Sequence, residues 1–365
     1  MDPQEKTRLA LDCTRWLTGH PRTRHTARAI LEDVAASTDP NLPGDMYGQG
    51  ELITGFEKQV AELLGKEAAV FMPSGTMAQP IALRIHADRR HSPHVAFHPL
   101  CHLEIHEQKG YQLLHGLHGV LVGSPHHLLT LDDLKQVKEP LAALLLELPQ
   151  REIGGQLPAW DELTAIVTWA RERGIPMHLD GARLWECQPF YQRSYADIAA
   201  LFDTVYVSFY KILGGITGAM LLGPDDIIAE ARLWQRRQGG NLVRMFPFVL
   251  SAKQGLETRL DRMGLYHAKA IEIAAALAAL PEIEVMPNPP HTNMLHVFVR
   301  GEADRLEQAA MEIAQEQKIW LVNGWLSSQI PAYQKFELTV GDASLEFSVD
   351  EVTALFRTLL EKAAA

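Results

Sequence analysis

The chain has 365 residues, of which 47% are hydrophobic and 22% charged. That is the balance of a soluble globular protein, long enough for one large domain and a smaller one, because single cores stop growing near ~250–300 residues. A formal net charge of -11 argues against a nucleic-acid partner and an anionic membrane surface, although a local basic pocket can still hold a phosphate.

The chain opens with a helical arm and a loop rich in Pro and Asp, residues 1–45. A helix follows over 50–64, with apolar residues at helical spacing and Gly65 as its stop. From Ala68 short apolar runs alternate with helical patterns. Strands are expected at Ala68–Met72, Val95–Phe97, Leu113-Leu114, Val120–Val122, Ala142–Leu146, Met177–Leu179, Thr204–Ser208 and Ala219–Leu222. Helices are expected at 160–173, 225–239 and 250–263. Such alternation implies a mainly parallel sheet covered on both faces. Further on, helices near 267–280 and 303–317 alternate with strands at 283–285, 294–299, 319–322 and 336–340, and a final helix closes the chain. The expected division is an arm over 1–45, a large domain over 46–255 and a small α+β domain over 256–365.

The three cysteines, Cys13, Cys101 and Cys187, are too few and odd in number for a disulfide framework, which fits a reducing compartment. No run approaches the ~20 apolar residues of a membrane span, and the first residues lack the apolar core of a signal peptide. A cytoplasmic location is expected.

Three segments carry chemistry. Pro73-Ser-Gly-Thr76 joins a strand to a helix, where unpaired backbone N–H groups and the positive helix end can hold a phosphate, with hydroxyls from Ser74 and Thr76. The same residues would also serve as a plain helix cap. His178-Leu-Asp180-Gly-Ala-Arg183 puts a carboxylate at the end of a buried strand, where open α/β sheets bind ligands. Asp180 could instead close a turn with Gly181, and Arg183 could meet a substrate carboxylate or a structural acid. Ser208-Phe-Tyr-Lys211 ends an apolar strand in a lysine before a Gly-rich turn. A charged lysine there is costly to bury unless it is exposed or joined to an aldehyde as an imine. Gly214, Gly215 and Gly218 would let the backbone pass close to a flat ring or phosphate. An acid at one strand end and a lysine after the next suit pyridoxal phosphate: the lysine binds the aldehyde and the acid keeps the ring nitrogen protonated. The histidines at 94, 98, 102 and 106 match no closed zinc spacing, so no metal is expected; one imidazole stacked over the cofactor ring suits them better.

Further segments join these in order: Asp45-Met-Tyr-Gly48, Leu63 to Ala78 around the Ser-Gly-Thr turn, His102-Leu-Glu-Ile-His-Glu107, Gln238-Gly-Gly-Asn-Leu-Val-Arg244 and Thr292-Asn-Met294. Together they resemble the threonine aldolase/β-eliminating lyase family of fold-type I pyridoxal phosphate enzymes, over about residues 45 to 300. The resemblance implies an aminotransferase-like α/β fold and a homodimer or homotetramer. It makes Lys211 the lysine joined to the cofactor, His102 the stacking histidine and Asp180 the partner of the ring nitrogen. Ser74, Gly75, Thr76 and Ser208 would hold the phosphate, Arg183 would meet the cofactor and the substrate carboxylate, and Arg244 would act across a subunit interface.

The implied reaction is cleavage of a β-hydroxy amino acid to glycine and an aldehyde. The alternatives are β-elimination, or cofactor binding without aldolase activity. An unrelated nucleotide-binding α/β protein is disfavoured, because no Gly-x-Gly-x-x-Gly turn follows a strand. Departures gather on the substrate side. Leu17 to Arg24 replaces an Arg-Ser-Asp segment, Gln150 stands where the family has His, Glu337 stands where it has a substrate-binding Arg, and Ile-Leu-Gly-Gly follows Lys211.

Overall fold

The computed structural model describes residues 2–21, 26–328 and 330–365, so Arg22 to Arg24, the end of the departing N-terminal segment, lies outside the described residues. The chain forms two compact units, one of residues 36–261 and one of residues 1–35 with 262–365.

The larger unit holds a seven-stranded sheet. Its strands are β1 (Ala68–Met72), β2 (His94–Phe97), β3 (His118–Leu121), β4 (Ala143–Glu147), β5 (Met177–Gly181), β6 (Thr204–Ser208) and β7 (Ala219–Gly223). Their spatial order is β1-β7-β6-β5-β4-β2-β3. Only β7 runs antiparallel to its neighbours; the rest pair in parallel. The parallel sheet expected from the βα alternation is therefore present. Since β7 opposes both β1 and β6, strands β1, β2, β4, β5 and β6 all end at the same edge.

Helices α1 (Glu51–Leu63), α2 (Gly75–Arg90), α3 (Trp160–Glu172), α4 (Asp225–Arg237) and α5 (Phe246–Arg259) accompany the sheet. Ala78, Ile81, Ala82 and Ile85 share one face of α2, at the spacing a 3.6-residue repeat requires. They are fully buried against Val70, Met72 and Leu221 of the sheet and Ile227, Ile228 and Ala231 of α4. Each large aliphatic in that contact contributes about 1.5–3 kcal/mol by leaving water.

An edge strand would leave backbone groups open to another chain. On β1, side chains close them. Glu57 of α1 accepts from the Phe71 N–H at 2.8 Å, Gln235 of α4 donates to the Phe71 carbonyl at 2.8 Å, and Arg232 donates to the Ala69 carbonyl at 2.9 Å. Arg232 and Glu57 also pair with each other at 2.6 Å.

Leu113 and Leu114 do not form the expected strand. Gly110–Leu113 is a single helical turn, and the two leucines are 80% and 76% exposed. An apolar pair has no period, so it cannot separate strand from helix. The glycines after Lys211 also serve another purpose than expected. A Cβ on Gly215 would meet the Phe209 carbonyl oxygen at 2.8 Å, and one on Gly218, at φ +119, would meet the Phe71 ring at 2.5 Å. The protein's own packing requires them.

The smaller unit carries an antiparallel sheet of β8 (Ile283–Met286), β9 (Met294–Arg300), β10 (Leu326–Ser327) and β11 (Tyr333–Thr339), in the order β10-β11-β9-β8. With it go helices α6 (Met263–Ala278), α7 (Ala303–Gln317) and α8 (Val349–Ala364). The strand expected at 319–322 shrinks to Ile319–Trp320, paired in parallel with Arg15–Trp16 of the arm. Among the described residues, no helix is long and apolar enough to cross a membrane.

At the amino end of β5 and β6 lies a buried polar triplet. The Thr204 hydroxyl sits 2.8 Å from His178 Nδ1 and 3.0 Å from His86 Nε2. One hydroxyl has one proton, so it can donate to one ring and must accept from the other. Burial pushes His86 down to about 4, opposed by Asp203 and helped by Arg89. It pushes His178 down to about 3, helped by His86. Both rings are thus neutral in the fold, and both protonate near ~6.5 in the unfolded chain. Their contribution is complete above that value and is lost as pH falls toward 4 and below. We expect denaturation midpoints to drop through this acid window in the wild type and to drop less steeply in His86→Gln. Equal slopes for the two proteins would contradict the neutral pair.

Candidate active site

Each turn leaving the shared sheet edge carries one part of a cleft. Of the eight residues predicted from the sequence, Thr76, His102, Asp180, Arg183 and Lys211 line it together, joined by Gln79, Glu107, Glu147, Ala182, Tyr206 and Tyr210. Gly75 lies directly beneath: a Cβ there would come within 2.0 Å of the Tyr206 hydroxyl oxygen, so only glycine fits. Ser74 caps α2, its Oγ accepting from the Met77 N–H at 3.3 Å. The N–H groups of Gly75 and Thr76 then emerge from the helix end, as the first N–H groups of any helix do. Ser208 is fully buried, and its hydroxyl donates to the Ala182 carbonyl at 2.7 Å. It does not line the cleft.

The floor is a row of three residues set by strand register. Glu147 of β4 pairs with Asp180 of β5, and Asp180 pairs with Tyr206 of β6. Asp180 is 1% exposed. Its Oδ1 accepts from the Ala182 N–H at 3.1 Å. Burial raises its pKa, against the pull of His102, the Ala182 N–H and Gln79. Glu147 is pushed up to about 8, first by burial and then by Asp180, against the Arg151 N–H, His102 and Arg183. The two carboxyls titrate as a pair. Glu147 also ties two turns to the sheet: it accepts from the N–H of His102 at 3.3 Å, from that of Arg151 at 3.2 Å and from Gln150 Nε2 at 3.2 Å.

His102 opens a single helical turn. Its Nδ1 sits 2.9 Å from Glu107 Oε1, and the Glu107 side chain is 1% exposed. Burial pulls the imidazole down, but the bond to Glu107 and the charges of Asp180, Glu107 and Glu147 outweigh it, so its pKa is raised. Lys211 is half-buried, its Nζ 5.1 Å from the centre of the Tyr210 ring.

Several sequence motifs turn out to brace the site. Asp45 is buried and accepts from the N–H groups of Met245 and Phe246, both at 2.8 Å, which caps α5. Arg244 donates to the Asp45 carbonyl. Gln150 is 3% exposed and donates to the Leu100 carbonyl at 3.1 Å. It lines a neighbouring pocket with Leu128, Leu145 and Ile166 and is not among the residues lining the cleft. Glu337 sits on β11 opposite His296. All three cysteines are buried and none is joined in a disulfide. Among the described residues, no three His, Cys, Asp or Glu side chains converge as metal ligands.

Sequence reading passed over Gln79, Glu147, Tyr206 and Tyr210. For Glu147 a signal existed: Ala143–Leu146 ending in an acid repeats the pattern of Met177–Leu179 ending in Asp180.

The residues present fit pyridoxal phosphate. Asp180 is a buried carboxyl with no cation against it among its described hydrogen bonds, and Gln79 Oε1 is buried without a partner. A protonated ring nitrogen suits such a floor, and the emerging N–H groups of α2 suit a phosphate.

A sequence profile of the family described as beta-eliminating lyase matches residues 26–302. A Listeria monocytogenes EGD-E protein, provisionally assigned as an L-allo-threonine aldolase, is 43% identical. Its crystal structure superimposes with a TM-score of 0.92, covering 98% of this chain and 99% of that one. Aldolase vrtJ of Penicillium aethiopicum is 34% identical over 265 residues, 69% of this chain and 66% of that protein. Low-specificity L-threonine aldolase 1 of Arabidopsis thaliana is 24% identical over 323 residues, 86% of this chain and 90% of that protein. With most of its length matched and the same architecture, the chain belongs to the beta-eliminating lyase family, the fold-type I lyases of the threonine aldolase type that depend on pyridoxal phosphate.

Proposed function

We propose that the protein binds pyridoxal phosphate and cleaves a β-hydroxy amino acid to glycine and an aldehyde. The observation that carries this is the meeting of Lys211, Asp180, His102 and Arg183 in one cleft at the sheet edge.

When bound, pyridoxal phosphate supplies a sink for the electron pair left as a bond to the amino-acid Cα breaks. Lys211 Nζ is the amine that holds it covalently, and once released that amine can hand a proton to Cα. Asp180 takes the ring N–H and keeps that nitrogen protonated. Ser74, Gly75 and Thr76 hold the phosphate; Ser208 joins them only if its hydroxyl leaves Ala182. Arg183 offers its fork to the substrate carboxylate. Because Nδ1 of His102 is engaged by Glu107, Nε2 is the nitrogen open to a substrate. It is our choice for the group that takes the β-hydroxyl proton, since Gln150 does not line the cleft and an amide is no base. The three buried cysteines, none in a disulfide, support a cytoplasmic setting. The exposed Met46, Tyr47 and Val243 on segments joined through the Tyr47 N–H and Val243 carbonyl support a homo-oligomer, in which Arg244 would act at the interface.

Incubation of the cofactor-loaded protein with L-allo-threonine should give glycine and acetaldehyde by mass spectrometry. 2-Oxobutyrate with ammonia would instead mean elimination. Lys211→Ala should lower turnover at least ~10²-fold; full turnover in that variant would refute the reading.

The acid pair sets a second expectation. Glu147 ionises near its ordinary 4.5 when unfolded but near 8 in the fold. The native protein therefore keeps that proton while the unfolded chain has lost it. This drains stability as pH rises through the interval between those values. In cofactor-free protein, the thermal midpoint of the wild type should fall relative to that of Glu147→Gln across this range. A constant gap between the two would show that Glu147 is not held protonated.

A further inference from the structure

We infer that the hydroxyls of Tyr206 and Tyr210 form a donor pair for a phosphomonoester dianion at the N-terminus of α2. The inference rests on the cofactor reading above and deepens it by naming phosphate ligands to which the sequence reading gave no role.

Position comes first. The Tyr206 oxygen lies so close to Gly75 that a Cβ would come within 2.0 Å of it. Gly75 is the first residue of α2, a sixteen-residue helix, so the hydroxyl sits where the helix presents its unpaired N–H groups and positive end. Tyr206 is 2% exposed and shares the floor with Asp180. Tyr210, the residue before Lys211, brings its hydroxyl within 3.3 Å of that of Tyr206. Both line the cleft.

Proton counting comes next. Two hydroxyls carry two protons, and the contact between them uses one. Among the described residues neither hydroxyl has another hydrogen-bond partner, so one proton is left to donate into the cleft. Burial and the nearby acid Asp180 hold both phenols above their ordinary value, so both stay protonated and act as donors. Meanwhile the Ser208 proton is spent on Ala182. The tyrosine pair supplies the donor that the serine withholds.

The test removes cofactor from the full chain and titrates it back by absorbance, with pyridoxal phosphate and with pyridoxal, which lacks the phosphate. Tyr210→Phe should bind pyridoxal phosphate about 10-fold more weakly and pyridoxal within about 2-fold of wild type. Tyr206→Phe, which keeps the ring beneath Gly75, should do the same. Inorganic phosphate should raise the unfolding temperature of cofactor-free wild type more than that of Tyr210→Phe. Equal weakening toward both ligands would mean that the tyrosines only shape the cleft, and no change toward either would mean that they do not reach the phosphate; both overturn the inference. If the wild type itself binds neither ligand, the cofactor reading falls first and the pair falls with it.

Discussion

The site turns on a carboxyl that the fold has buried before anything neutralises it. Asp180 is set at the carboxyl edge of the sheet by pairing on both sides, with Glu147 and Tyr206 as register partners. Burial raises its pKa, so the protein alone cannot ionise it cheaply. In the proposed site a ring that can carry a proton would remove that cost, with Asp180 as the carboxylate that would hold its N–H. The same burial that penalises the lone carboxylate would strengthen its pairing with a bound ring.

That constraint propagates outward. Glu147, beside Asp180, is held near its place by three N–H donors, and through the N–H of His102 it fixes where the stacking turn begins. Glu107 then fixes the imidazole by its other end. His102 thus sits in the field of three acids, and that field outweighs burial to raise its pKa. Asp45 has no part in this field; it holds the 45–48 loop to the start of α5. An acid in a family motif can therefore be a brace, and one outside any motif, such as Glu147, can stand in the cleft.

Much of this was legible in the sequence because it rests on short local rules. Strand runs bounded by turns located β1, β2 and β4 to β7 to within a residue or two, and helical spacing located α1 and α3. The Asp180 and Lys211 segments were legible for the same reason: each is a strand end, where side chains point into a crevice. What escaped depends on register. Glu147 meets Asp180 only because β4 and β5 pair in parallel with that offset. Tyr206 explains Gly75 only once β6 is known to lie near the start of α2. Leu113 and Leu114 misled because apolar character without a period says nothing of conformation. The glycines after Lys211 misled because their neighbours, Phe209 and Phe71, are distant in sequence or invisible to a motif.

The altered substrate side also has a direction. Gln150 differs from the family's histidine in chemistry and in setting: its amide is spent on Leu100 and Glu147, and it lines a neighbouring pocket, not the cleft. A reverse change to histidine would not simply restore a base, because the side chain would still have to turn out of that pocket and release the Glu147 clamp. Among the described residues lining the cleft, His102 is the one imidazole. If a β-hydroxyl proton leaves through a side chain here, it goes to the open Nε2 of His102, whose Nδ1 stays paired with Glu107. A base already paired with a buried acid gains from holding that proton, since the charge it acquires faces Glu107 at 2.9 Å. Two buried acids therefore divide the proposed reaction, Asp180 pairing with the cofactor ring on one side and Glu107 stabilising the protonated imidazole on the other.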